Sequence, residues 1–245
     1  MHCKRILIVI PAYNEEKNIG QVLDKLLKLK ELYGFDVLVV DDCSADRTGV
    51  IAIMKGAHVI RHDRNMGEEG GIQTGLKYAL KNNYNFVIKI DGDGQHDPED
   101  VPAVIKALCT GADLVIGERQ GRYDESLLFK LGRWACNLLL SILIGRKCGD
   151  TTSGFYGFNK RCMTVLRAVH DKTPMLKNDL TNNLEKLIIA WKVGLKIVKV
   201  PVVMHARREA SKCYFSYRLL VFPLLLLISL MRCLLMDTRW LVSMI

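Results

Sequence analysis

No C-x-x-C pair occurs among the eight cysteines of this sequence, which lie far apart at Cys3, Cys43, Cys109, Cys136, Cys148, Cys162, Cys213 and Cys233. That spacing suggests neither a zinc site nor a redox motif, and free thiols in a reducing cytosol are expected. No G-x-G-x-x-G follows the first apolar run, and no glycine-rich loop ends in Lys-Ser or Lys-Thr. The dinucleotide fingerprint and the P-loop are therefore both missing. Low-complexity tracts, like-charge blocks and internal repeats are absent too. The C-terminal apolar run, Leu219 to Met231, contains Pro223 and is interrupted by Arg232, short of the roughly 20 apolar residues that span a bilayer. At the other end, "ILIVIPA" is too short for a signal sequence with a cleavage site, and "YNEE" follows at once. It reads as a first strand.

What is present is a chain of 245 residues, 49% hydrophobic and 25% charged, enough for one large domain or two small ones, and for a full core. The net charge of +9 is unevenly placed. Lys186, Lys192, Lys196, Lys199, Arg207, Arg208, Lys212 and Arg218 crowd the last third, set against Glu185 and Glu209. A basic stretch that runs into an apolar tail is a pattern for a cytoplasmic membrane surface, the alternative being a C-terminal core helix packed on the domain. Nucleic acid is not an expected partner, because no basic patch with interleaved aromatics accompanies the charge. Trp134 and the Leu138–Leu143 run read as one face of a buried or membrane-proximal helix.

Through the first half, "RILIVI", "DVLVV", "AHVI", "FVIKI" and "ADLVIG" read as short strands buried on both faces. Between them, Ile19, Val22, Leu23, Leu26 and Leu27 recur at helical spacing, and "EEGGIQTGLKYALKN" and "DPEDVPAVIKALCT" read as further helices. Asp97 as N-cap and Pro98 at the first helical position mark the start of the last of these. Such alternation predicts an α/β fold with a mostly parallel sheet, whose ligands bind outside the carboxyl ends of the strands. Polar clusters recur there: "PAYNEE" after the first strand, "DDCSADRT" after the second, "DGDGQHDPED" after the fourth, and "GERQGRYDES" after the fifth. His58 and His62, flanking the third strand, read as ordinary polar residues.

The cluster that carries most chemistry is "KIDGDGQHDPED", Lys89 to Asp100, where carboxylates gather at the end of an apolar run. Asp91 and Asp93 are two residues apart in extended chain, so both can point to one side. Hard oxygen ligands of that kind suit Mg2+ or Mn2+, shared with substrate phosphates. An EF-hand is excluded, since His96 stands where that loop needs Gly and Pro102 where it needs the bidentate Glu.

In their order, "PAYNEE", "VVDDCSADRT", "NMGEEGGIQTGL", "DGDGQHDPED", "VIGERQ" and "DTTSGF" resemble the family 2 glycosyltransferases of GT-A fold. The branch most alike is dolichyl-phosphate mannose synthase and its polyprenyl-phosphate relatives. The resemblance implies a GT-A domain over residues 1–212 and an apolar membrane-associating segment over 213–245. Pro11, Tyr13 and Glu15 would line the nucleotide pocket, with Asp42 bonding a uracil or guanine base. Asp91, Asp93 and Gln95 would hold the divalent ion and the donor diphosphate, and Asp93 and Arg119 would serve catalysis. Arg119 would face the acceptor or the diphosphate, Ser153 and Gly154 would shape the acceptor side, and Arg207, Arg208, Ser211 and Lys212 would close over the phosphates. The charge of the ion would offset the aspartate pair, and the remaining acids would start the next helix, where its dipole favours them.

The chain departs from the family pattern in places. A usual N-x-G-K-G reads here Asn65, Gly67, Glu68, Glu69, so two acids replace a cation. Glu209 stands where the closing loop has Gly, Thr151 replaces Pro in D-P-T-S-G, and Lys199 replaces the Glu before V-P. Members that glycosylate hydroxyls carry a Glu-Asp pair near the positions of Asn182 and Asn183. An amide takes no proton, and an acceptor phosphate needs no base. The implied activity is inverting transfer from a UDP- or GDP-sugar to polyprenyl or dolichyl phosphate at the cytoplasmic face of a membrane, with a membrane subunit or a homo-oligomer left open as partners. The alternatives are a hydroxyl acceptor with Asp179 as base, and an inactive sugar-nucleotide-binding subunit.

Overall fold

The computed structural model describes residues 4–120, 134, 137–138, 140–142, 145, 150, 153–172, 179–205, 230–233, 235–237 and 241. Arg207, Arg208, Ser211 and Lys212, and the apolar run 213–229, lie outside them. So do the side chains of 179–181, Asp179 included.

The described strands are β1 (Ile6–Ala12), β2 (Phe35–Asp41), β3 (His58–Arg61), β4 (Phe86–Lys89), β5 (Leu114–Gln120), β6 (Tyr156–Asn159) and β7 (Ile197–Val203). The helices are α1 (Ile19–Tyr33), α2 (Thr48–Met54), α3 (Gly67–Lys81), α4 (Val101–Cys109), α5 (Lys160–Lys172) and α6 (Asp179–Lys192). One sheet forms in the order β3-β2-β1-β4-β6-β5-β7. Its strands run parallel except β6, which is antiparallel to both neighbours. The fold is α/β and GT-A-like, with a mostly parallel central sheet.

Strand alternation distributes the core between two layers. Ile6, Ile8, Ile10 and Ala12 of β1 face α1, α2 and α4, whereas Leu7 and Val9 face α3, α5 and α6. In β4 the same parity sends Phe86 and Ile88 to the first layer and Val87 to the second. Helix α3 crosses β1 very closely: a β-carbon on Gly75 would lie 2.4 Å from Val9 Cγ1, and one on Gly71 2.9 Å from Pro11 Cβ. The glycines of "GEEGGIQTG" thus serve a helix–sheet contact.

Strands β6 and β7 had no counterpart in the sequence reading. Strand β6 is four residues long and contains Gly157, and β7 contains Pro201, both of which weaken a strand signal. Pro201 is tolerated because β7 is an edge strand. Strand β5 is longer than its apolar run suggests, so "GERQ" lies within it and not after it.

Candidate active site

The loops after β1 and β2 are stitched together by side chains. Asn14 N donates to Ser44 Oγ at 3.0 Å, Ala45 N donates to Asn14 Oδ1 at 2.7 Å, and Glu15 N donates to Thr48 Oγ1 at 2.7 Å. Glu15 also accepts from Asn18 Nδ2 at 2.9 Å, which fixes the entry into α1. Asp41 is fully buried and holds the second loop, pairing with Arg61 at 2.7 Å and accepting from Ser44 N at 3.0 Å. Pro11 is half-buried against α3, and Tyr13 is 43% exposed at the rim.

Asp42 is the anchor of this corner. Its Oδ1 accepts from Met66 N at 2.7 Å and its Oδ2 from Gly67 N at 2.8 Å, at the positive end of α3. His62 Nδ1 lies 2.7 Å from Asp42 Oδ1, and His62 Nε2 lies 2.8 Å from Thr74 Oγ1. A carboxylate only accepts, so the Nδ1 hydrogen points to Asp42. His62, read from sequence as an ordinary flanking residue, is instead the clasp between Asp42 and α3. The signal for it was faint: one histidine just beyond a strand.

Across β1, the strand end at β4 brings Lys89, Asp91 and Asp93 to the same sheet edge. Lys89 is 1% exposed, and its Nζ contacts both Glu68 Oε1 of α3 and Asp91 Oδ1. Burial alone would lower the pKa of this ammonium, but the charges of Asp91 and Glu68 outweigh it and hold Lys89 well above the ordinary lysine value. Burial likewise acts to raise Asp91, and Lys89 and His96 overcome it, so Asp91 is held well below the usual carboxylate range. His96 Nδ1 lies 3.0 Å from Asp91 Oδ2 and 3.2 Å from Asp91 N. One ring nitrogen serves only one of these at a time. The ring stacks on Phe155 at a centroid distance of 5.4 Å.

The charge balance at Asp91 thus includes a lysine beneath it. Glu68 and Glu69, read as the loss of a cation, are each matched by a buried lysine. Glu68 takes Lys89, and Glu69 takes Lys186 of α6 at 2.6 Å.

Asp93 is buried, and its Oδ1 accepts from Gln95 N at 3.0 Å. Gln95 O accepts from His205 N at 2.8 Å, and His96 bridges to Met204. The end of β7 is thus tied to the acidic turn. Asp97 caps the next turn, accepting from Glu99 N at 3.2 Å, and also meets Lys25 at 3.1 Å and His205 at 2.8 Å. A cleft of about 300 Å3 behind this turn is lined by Lys25, Gly94, His96 and His205 among others, but by neither Asp91 nor Asp93.

The Asp93 carboxylate is a hard oxygen donor of the kind a divalent ion takes, and phosphates would have to complete the coordination. Among the described residues no three His, Cys, Asp or Glu side chains gather to cage an ion by themselves.

Gly154 roofs the cluster: a β-carbon there would lie 2.8 Å from Asp91 Oδ2, 3.1 Å from Lys89 Nζ and 3.1 Å from His96 Cε1. Ser153 is buried, and its carbonyl accepts from Asn183 Nδ2 of α6 at 3.1 Å. Arg119, at the end of β5, forms a bidentate pair with Asp150, with Nη2 2.6 Å from Oδ1. Asp42, Asp91, Asp93, Gln95, Arg119, Ser153 and Gly154 therefore all lie at the carboxyl edge of the parallel strands, where the antiparallel β6 also begins.

The family model for "Glycosyl transferase family 2" matches residues 7–171. The chain belongs to glycosyl transferase family 2. Among its relatives is the undecaprenyl-phosphate mannosyltransferase of Micrococcus luteus, 31% identical over 86% of this chain and 88% of that one. The UDP-N-acetylglucosamine–dolichyl-phosphate N-acetylglucosaminyltransferase of Methanococcus voltae is 31% identical over 81% and 85%. Among solved structures, glucosyl-3-phosphoglycerate synthase of Mycobacterium tuberculosis, bound to Mn2+, UDP and glucosyl-3-phosphoglycerate, superposes with a TM-score of 0.73 at 23% identity, covering 96% of this chain and 82% of that one. At that identity the likeness speaks for the fold. The chain is a family 2 glycosyltransferase.

Proposed function

We propose that this glycosyltransferase moves a sugar from a UDP- or GDP-sugar to a polyprenyl or dolichyl phosphate, with inversion, at the cytoplasmic face of a membrane. The observation that carries this reading is the residue that α6 turns toward the site. Asn183 reaches the Ser153 carbonyl at 3.1 Å, and an amide there cannot relieve an attacking hydroxyl of its proton. An acceptor phosphate arrives already anionic. Relatives named for undecaprenyl-phosphate and dolichyl-phosphate transfer support the same acceptor class.

In this reading the nucleoside lies along Pro11, Tyr13 and Glu15 beside Asp42, with Tyr13 exposed enough to meet a base. Asp93 and Gln95 would hold Mg2+ or Mn2+, with Asp91 fixed beside them by Lys89 and His96. Such an ion would neutralise charge on the departing diphosphate. An oxygen of the acceptor phosphate attacks the anomeric carbon. The bond from that carbon to the β-phosphate oxygen breaks, and the nucleoside diphosphate leaves with the electron pair. Arg119, oriented by Asp150, would face the acceptor phosphate, and Arg207, Arg208 and Lys212 would cover the phosphates. What the fold contributes is positioning and preorganised charge.

Membrane association rests on exposed apolar rows. Trp134, Leu138 and Ile142, four residues apart at described helical positions, are all exposed, as are Met231 and Leu235, whereas Leu230, Cys233 and Leu241 of the C-terminal segment pack into the core. Among the described residues no helix is long and apolar enough to cross a membrane, and a surface-bound protein needs none.

The test is nucleoside diphosphate release from a panel of UDP- and GDP-sugars, with Mn2+ or Mg2+, with and without a short polyprenyl phosphate. Release that requires lipid phosphate and is lost in Asp93→Asn supports the reading. Donor binding without any stimulation by lipid phosphate would overturn it in favour of a hydroxyl acceptor.

A further inference from the structure

Lys89 is buried beneath two carboxylates that are themselves partly open. Its own side chain is 1% exposed, against 34% for Glu68 and 25% for Asp91. Gly154 seals the remaining side, close enough that a β-carbon would sit 3.1 Å from Nζ. The ammonium therefore does not reach a ligand. It lies under a floor whose upper surface is Glu68 and Asp91. Glu69, the neighbouring acid on α3, does not draw on Lys89, because Lys186 takes it at 2.6 Å. Two carboxylates so placed would repel an anionic ligand, and one buried cation shared by both removes much of that repulsion.

We propose that Lys89 is a positioning residue of the donor site: by neutralising Glu68 and Asp91 from beneath, it lets that carboxylate-lined floor accept a nucleoside diphosphate. The inference rests on the donor reading above and assigns the role of site cation to a strand residue in place of the basic loop position that this chain lacks. Glu68 then has a defined effect of its own. It consumes part of the charge of Lys89, and so tempers affinity for the diphosphate.

The experiment is calorimetric binding of UDP and GDP to the full chain, with Mn2+ and in EDTA, alongside thermal melts. Lys89→Met should weaken binding by about tenfold or more, and Lys89→Met with Glu68→Gln should recover most of that loss, since charge and not shape is at stake. Glu68→Gln alone keeps the cation and the fold, and should tighten binding about threefold, most clearly in EDTA. A double variant as weak as Lys89→Met would overturn the inference, as would unchanged or weaker binding in Glu68→Gln. Failure of the unmodified chain to bind either nucleotide with Mn2+ would instead overturn the donor reading itself, and the inference with it.

Discussion

Gly154 stands so close to Asp91 that a β-carbon on it would come within 2.8 Å of Oδ2. Asp91 cannot simply swing aside, because Lys89 and His96 hold its two oxygens. Gly154→Ala is therefore expected to displace the acidic turn while leaving both core layers intact. Nucleoside diphosphate release should fall by about tenfold, equivalent to ~1.4 kcal/mol, with a melting temperature close to the unmodified protein. A variant of full activity would show that the turn tolerates displacement.

The pair between Arg119 and Asp150 is largely buried, at 10% and 9% side-chain exposure. Removing one partner breaks a largely buried pair, at a cost of about 3–5 kcal/mol. Arg119→Ala and Asp150→Ala should each lower the urea midpoint markedly, and the double variant should cost much less than the sum. Arg119→Lys keeps the charge but loses the fork, and should raise KM for lipid phosphate more than KM for the sugar nucleotide. Additive losses in the double variant would refute the coupling.

Gly75→Ala sets two effects against each other. Alanine favours a helix over glycine by about 1 kcal/mol, but its methyl would stand 2.4 Å from Val9 Cγ1, and overpacking costs about 1–3 kcal/mol. Net destabilisation is expected, read as a lower melting temperature. Stabilisation would mean that α3 can ride up on β1 without loss.

Acid should act through Asp97. Partial burial pushes its pKa upward, but the contacts with His205, Glu99 N and Lys25 prevail and lower it. A carboxyl lowered in the folded state contributes stability above its unfolded value, near 4, and loses it as pH falls through the folded value. The gap in urea midpoint between the unmodified protein and Asp97→Asn should be full at about pH 7 and narrow toward about pH 3. A gap independent of pH would show that the charge of Asp97 contributes nothing.

The parallel half of the sheet was legible because its strands are apolar on both faces and separated by helical spacing. Strands β6 and β7 were not, since a glycine and an edge proline blur them. In the site, "DGDGQH" and "TTSGF" announced themselves as motifs, and the structure places Asp91, Asp93 and Gly154 together at one edge. Lys89 was hidden in plain view within "FVIKI", where a single lysine reads as an interruption of an apolar strand. Strand alternation holds the missing clue: Lys89 and Asp91, two apart, share a face. Its second partner, Glu68, and the pairing of Glu69 with Lys186 depend on where α3 and α6 land, which no local pattern specifies.

Arg119 and Asp150 have a consequence for how such a protein can change. They stand at the two feet of everything between β5 and the approach to β6, and their fork pins those feet together at one point of the sheet edge. An anchor of this kind lets the sequence between the two residues vary in length and chemistry while the ends of β5 and β6 keep their places. Replacing residues 121–149 by those of a relative, with Arg119 and Asp150 kept, is expected to leave nucleotide affinity where it was.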